Sequence, residues 1–258
     1  MQLQFKNKKA LKDYLDKAVE KYNHPDFIES DPIQLPHLFS IKEDIEIVGL
    51  LVSTIAWGNR KSIINNGRKL IEIMQNQPYN FVTNYDENLA KDLKFVHRTF
   101  NAQDLDFFFR SLQYIYKNEG LEATFTKNES IWGAQGRIIS FRNKFLETLH
   151  DNRSTKHISN PTKNSAAKRL NMFLRWMCRQ DNKGVDFGIW KSIPMSELNI
   201  PLDVHTANIG RQLGLISRSQ NDGKTLDEIM SQLRAFDPVD PAKYDFALFG
   251  IGAFESKF

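Results

Sequence analysis

Cysteine is almost absent. Cys178 stands alone in 258 residues, which excludes a disulfide framework and any four-cysteine zinc or iron–sulfur site. Such a chain suits a reducing compartment. Long apolar runs are missing as well. The longest, Ile47 to Trp57, contains Ser53 and Thr54 and falls well short of the roughly 20 residues that span a bilayer. The opening stretch MQLQFKNKKALKDYL is basic but has no continuous apolar segment and no small-residue cleavage site, so it does not read as a secretory signal. A cytoplasmic protein with no membrane partner is the expectation. Neither sign of charge dominates: 35 basic and 31 acidic residues leave +4, with a pI near 9.0. That permits an anionic partner without requiring one.

Period-two alternation of β-branched residues is also lacking, so no sheet is expected. Apolar residues recur instead at helical spacing. The pattern predicts helices over Ala10–Tyr22, Ile41–Ala56, Ser62–Met74, Pro78–Asn84, Asp104–Asn118, Leu121–Thr126 and Ile131–Leu149. Others are expected through RLNMFLRWMCR, over Val204–Leu213, over Thr225–Phe236 and over Pro241–Ala253. The fold class is all-α. With 41% hydrophobic and 26% charged residues, the composition is that of an ordinary globular chain. A chain of this length buries roughly three quarters of its unfolded surface.

Familiar chemical signatures are mostly missing. There is no phosphate-binding P-loop, no GxGxxG, no HExxH, no GxSxG and no calcium loop. The six histidines, His24, His37, His97, His150, His157 and His205, include no pair four apart, so no metal site is expected.

Two segments stand out. In PTKNSAAKRLNMFLRWMCR, the small and polar residues Asn164, Ser165 and Ala166 read as a helix opening, with Lys168 in or near the first turn. The free N–H groups and dipole of a helix start disfavour a protonated ammonium there, so this lysine is a candidate amine nucleophile. From spacing alone the default reading is a solvated lysine at a helix start. In IPLDVHTANIGRQLGL, Asp203 precedes a helix. It reads as an N-cap, as a carboxylate kept ionised by backbone donors and facing a cleft, or as both.

In combination these segments resemble the helix-hairpin-helix DNA glycosylase superfamily, whose best-known branch is endonuclease III. Leu202-Asp203-Val204-His205, with Arg211 beyond it, is similar to the family's aspartate-bearing helix start, and Lys168-Arg169-Leu170-Asn171-Met172-Phe173-Leu174 to its lysine-bearing one. LLVSTIAWGNRKSIINNGRKL resembles the early helix, loop and helix whose loop enters DNA. LDEIMSQLRAFDPVDPAKYDFALFGIG resembles the closing helix pair. The likeness runs in order over about residues 40 to 258. Two departures set this chain apart from endonuclease III. Where the family hairpin reads L-P-G-V-G, this chain has the glycine-free TKNSAA, and 35 residues separate Lys168 from Asp203. The longer spacing is nearer the archaeal 8-oxoguanine glycosylase branch, and the chain also resembles an uncharacterised bacterial family within the superfamily.

The resemblance implies two helical lobes flanking a DNA-binding cleft. One would be built from residues 1–57 and 180–258, the other from 58–179. It implies a glycosylase and AP lyase of base-excision repair, associated with the nucleoid, in which Lys168 attacks the deoxyribose and Asp203 assists. The substrate base would be damaged, with an oxidised purine as one candidate. No cofactor and no iron–sulfur cluster are needed. Trp57, Asn59, Arg60, Lys163, Arg169 and His205 would contact DNA or base. Lys163 rivals Lys168 for the nucleophile, and Lys168 is preferred because K-x-x-N-x-x-L follows it. Trp57 is alternatively a core aromatic. The basic runs Lys61, Arg68, Lys69 and Arg169, Arg175, Arg179 are either solvated faces or phosphate contacts. Two other readings remain: a non-catalytic nucleic-acid binder with this fold, and an unrelated helical interaction domain. FVHRTFN at Phe95–Asn101 has no assigned role; a bridge between lobes through His97 or Arg98 is the default.

Overall fold

The structure, a computed structural model, describes residues 5–126 and 133–255. It is mostly helical. In chain order the helices are α1 (Lys8–Tyr22), α2 (Asp26–Ser30), α3 (Lys42–Thr54), α4 (Arg60–Ile73), α5 (Pro78–Thr83) and α6 (Glu87–Asp92). A short hairpin of β1 (Val96–His97) and β2 (Phe100–Asn101) comes next, then α7 (Ala102–Asn118), α8 (Leu121–Thr124) and α9 (Gly133–Phe145). The last four are α10 (Lys168–Cys178), α11 (Val204–Gln212), α12 (Gly223–Phe236) and α13 (Tyr244–Gly250). No described helix is long and apolar enough to cross a membrane.

Short polar side chains set many of the boundaries by accepting the N–H groups that a helix start leaves without partners. Asn7 caps α1, Asn59 caps α4, Asp86 caps α6, Asp203 caps α11 and Asp222 caps α12. Asn101 and Asp104 form a reciprocal capping box on α7. The link HPDFIESDPIQLPHLF is more ordered than its breakers suggest. It holds α2 and two single 3-10 turns that begin at Pro32 and Pro36, where proline's fixed φ suits a first helical position. The expected helix over 131–149 is seen as α9, and residues 131 and 132 lie outside the described ones. The sheet-free expectation needs one correction. FVHRTFN folds back on itself as an antiparallel ladder with His97 opposite Phe100 and Val96 opposite Asn101. Two residues per strand are too few to produce an alternating pattern that sequence could show.

The chain divides into two compact units, residues 28–160 and the combined segments 1–27 and 161–258. This division differs from the expected one at 57/58 and 179/180. Packing accounts for the difference: α3 lies against α4 and α5, and Arg175 of α10 and Arg179 just after it are ion-paired to Asp186, Asp240 and Asp245. Each helix therefore belongs with the partners it is buried against.

The central unit has an aromatic core. Phe107, Phe108 and Phe109 of α7 are almost wholly buried, in edge-on contact with Phe145, Phe100 and Phe81. Such pairs add about 1 kcal/mol each beyond the area they bury. Helix α3 is buried from Asp44 to Thr54, so its nearly continuous apolar end reflects a helix surrounded on all sides. The terminal unit has a mainly aliphatic core. Leu11, Leu15, Ala18 and Val19 of α1 meet Ile209 of α11, Leu226, Ile229, Met230 and Leu233 of α12, and Leu248 of α13. Gly250 permits the close approach of α13 to α1, because a Cβ there would overlap the Tyr22 ring.

Candidate active site

Helix α10 starts in an unusual way. Sequence placed its opening at Asn164 to Ala166, but the first helical residue is Lys168 itself. The residues before it form a turn in which Asn164 and Ala167 take left-handed conformations, at φ 60° and 46°. Asparagine visits that region readily, whereas alanine there costs about 1–2 kcal/mol. The glycine-free TKNSAA thus makes a tight turn with backbone angles that usually call for glycine. Contacts hold it in place. The Asn164 carbonyl accepts from Gly223 N at 2.8 Å, its Oδ1 accepts from Lys224 N at 3.1 Å, and its Nδ2 donates to Asp222 Oδ2 at 2.9 Å. Ala167, in the N-cap position of α10, supplies no side-chain cap.

Leu170, Phe173, Leu174 and Met177 form the buried face of α10, as the spacing predicts. Lys168 therefore emerges at the end of a firmly packed helix. Asp203 begins α11, and its Oδ1 accepts from Thr206 N at 2.9 Å. Its other oxygen lies 3.3 Å from Lys168 Nζ, with 35% of the lysine side chain and 21% of the aspartate side chain exposed. Asp203 thus caps its helix, as the N-cap reading expects, and also faces Lys168. Burial by itself would raise its carboxyl pKa. The Lys168 ammonium and the Thr206 N–H outweigh that, with a smaller contribution from His205, and hold the carboxyl below its ordinary 3.8. Asp203 is accordingly a carboxylate at neutral pH.

Lys163 ends a 3-10 turn with its side chain exposed; the ion pair to Asp203 is made by Lys168. Arg169 is half-buried, and loss of hydration pushes its guanidinium down to about 10, which leaves it charged at neutral pH. His205 is exposed on the first turn of α11. Arg211 serves the fold, since its guanidinium gathers the carbonyls of Arg218, Ser219 and Gln220. Arg175 and Arg179 do not serve as phosphate contacts. They are 3% and 2% exposed, and they pair with Asp186, Asp240 and Asp245 beneath the Phe246 ring.

The other candidates lie in the central unit. Trp57 is half-buried, edge-on to His97 with ring centres 5.0 Å apart and face-to-face with His157 at 6.1 Å. One part of the indole is thus core and another part reaches solvent. Asn59 is exposed and caps α4 by accepting from Ser62 N at 3.2 Å. Arg60, half-exposed, is the first residue of that helix. Sequence reasoning missed what holds this loop. His97 Nδ1 accepts from Asn66 Nδ2 at 2.9 Å, which leaves Nε2–H to donate to the Trp57 carbonyl at 3.2 Å. Burial, aided by the neighbouring Arg98 charge, holds the imidazole below its ordinary 6.5, so the neutral tautomer that this pattern needs is present at neutral pH. FVHRTFN signalled this, but no spacing rule connects it to residue 57. Both hydrogen bonds of His97 stay within the central unit.

Among the described residues no group of three or more His, Cys, Asp or Glu side chains is placed to hold a metal ion. The family model described as "Protein of unknown function (DUF2400)" matches residues 31–254, and the chain belongs to that family. No curated protein and no solved structure matches it significantly.

Proposed function

We propose that this protein is a DNA glycosylase and AP lyase that removes a damaged base through an amine nucleophile, Lys168, assisted by Asp203. The observation that carries this reading is the 3.3 Å approach of Lys168 Nζ to Asp203 Oδ2 at the starts of two helices, with both side chains still open to solvent. An ion pair built only for stability gains little in that setting, because exposed pairs contribute about 0–1 kcal/mol. The pair is more consequential as chemistry. A lysine and an ionised carboxylate within one hydrogen-bond length can act on the same sugar carbon.

In the proposed reaction a damaged nucleotide is extruded from the duplex toward this pair. Positive charge develops on the deoxyribose as the C1′–N bond to the base breaks. The base leaves with the bonding electrons and takes up a proton. The Asp203 carboxylate, held ionised by Thr206 N–H, stabilises the cationic sugar. Lys168 gives its ammonium proton to the departing base by way of Asp203, the neutral Nζ bonds to C1′, and a second proton passes from that nitrogen to O4′ as the C1′–O4′ bond opens to the imine. Loss of a C2′ proton then breaks the C3′–O bond and nicks the strand. Lys163 and His205, exposed on the segments that flank the pair, and Arg169 beside them are among the basic residues that would meet DNA. The strained turn at Asn164 and Ala167 takes the part of the hairpin.

The test is borohydride trapping on a duplex with one abasic site, read as a protein–DNA adduct on a denaturing gel. An adduct formed by wild type and by Lys163→Ala, and lost in Lys168→Ala, is the expected result. Tight binding with no adduct would overturn the lyase and favour a binder that retains the fold.

A further inference from the structure

The hairpin Val96–Asn101 carries a second, independent signal at its tip. Arg98 sits in the left-handed region at φ 55°, a conformation that costs a residue with a Cβ about 1–2 kcal/mol. Its side chain is exposed, and among the described residues it has no hydrogen bond or ion pair. The guanidinium lies directly on Gly58. That glycine is at φ +102°, and a Cβ added to it would stand 2.8 Å from Arg98 Nη1. Glycine at 58 suits its backbone angle, and it leaves the room into which the arginine settles.

The tip is also braced from below. His97 ties β1 to α4 and to the Trp57 carbonyl. On the other side Arg153 Nη2 donates to the Thr99 carbonyl at 3.2 Å while its Nη1 reaches the fully buried Asp104 at 3.1 Å. A strained backbone and a rigid support thus hold an exposed cation, with no counter-ion among the described residues, against the loop that carries Trp57, Asn59 and Arg60. Local strain of this kind persists where the surrounding structure over-determines it, and it is concentrated at functional positions.

We propose that Arg98 is a DNA-phosphate contact, placed so that its guanidinium binds the backbone beside a base that meets the exposed part of Trp57. Planar guanidinium donors suit a phosphodiester well, and Arg60 and the exposed Lys61 at the start of α4 extend the same basic surface. This inference rests on the reading of the protein as a DNA-acting enzyme.

The experiment is fluorescence anisotropy with a labelled duplex that contains a non-cleavable tetrahydrofuran abasic site, titrated at 50 and 200 mM salt. One lost phosphate contact lowers the salt slope by about 0.9, which corresponds to binding weakened about fifteenfold at 50 mM and about fourfold at 200 mM. That is the expectation for Arg98→Ala, whose exposed side chain makes no hydrogen bond or ion pair among the described residues. Arg98→Lys should recover part of the loss. Gly58→Ala, which displaces the guanidinium without removing a charge, should weaken binding in the same direction. Wild-type binding with Arg98→Ala unchanged in affinity and slope would overturn the role of Arg98 and leave the glycosylase reading standing. A wild-type protein that binds no duplex and forms no borohydride adduct would overturn both.

Discussion

At one end of α10, Lys168 faces Asp203 at 3.3 Å with about a third of the lysine exposed. Towards the other end, Arg175 of the same helix and Arg179 just beyond it meet Asp186, Asp240 and Asp245 with almost nothing exposed. The ingredients are alike and the consequences differ. The buried group is saturated: both guanidiniums have several carboxylate partners and lie against the Phe246 ring. No ligand can reach them without unfolding the unit. The pair at the helix start is monodentate and partly exposed, and the helix there lacks a side-chain cap. A basic residue near a carboxylate therefore marks a reaction site only where a substrate can enter. In the proposed reading, accessibility more than proximity separates the paired residues that hold the fold from those that would do chemistry.

The comparison yields a graded set of outcomes. Arg175→Ala should have the largest effect on stability, a loss of about 3–5 kcal/mol in urea unfolding, because it leaves buried carboxylates without their counter-charge. A loss below about 1 kcal/mol would remove the distinction between the two ends. Asp203→Ala should come next, at about 1–2 kcal/mol, since it deletes a helix cap and an exposed pair together. Asp203→Asn retains a capping oxygen, so its deficit of under about 1 kcal/mol isolates the charge.

That last deficit should depend on pH. The fold holds the Asp203 carboxyl below its ordinary 3.8, so its charge stabilises the folded state above that value. The contribution is lost as pH falls through the lowered pKa. Unfolding curves of wild type and Asp203→Asn should converge on acidification from neutral pH; a gap that widens would reverse the sign of the Lys168 interaction. The smallest stability change belongs to Lys168→Met, within about 1 kcal/mol of wild type, although the same substitution should abolish imine chemistry.

Helix periodicity revealed most of the fold, since faces such as Leu11, Leu15, Ala18 and Val19 repeat at the spacing that burial demands. Asp203 was legible for the same local reason, as an N-cap residue ahead of a helix. The start of α10 was not, because Asn164 and Ala167 take left-handed angles that composition does not announce. The fate of Arg175 and Arg179 was hidden as well. Their carboxylates are supplied by residues up to seventy positions away, and no short-range pattern contains that information. His97 and Arg98 were conspicuous in sequence, yet their partners Asn66, Trp57 and Gly58 lie across a loop closure that only the folded chain reveals.

The most direct test of the central claim is to locate the covalent bond. Wild-type protein reduced with borohydride on abasic duplex DNA would be digested with nuclease and protease, and the modified peptide sequenced by mass spectrometry. The account predicts a reduced sugar remnant on Lys168 Nζ. A remnant on Lys163, or on any amine outside the start of α10, would contradict it.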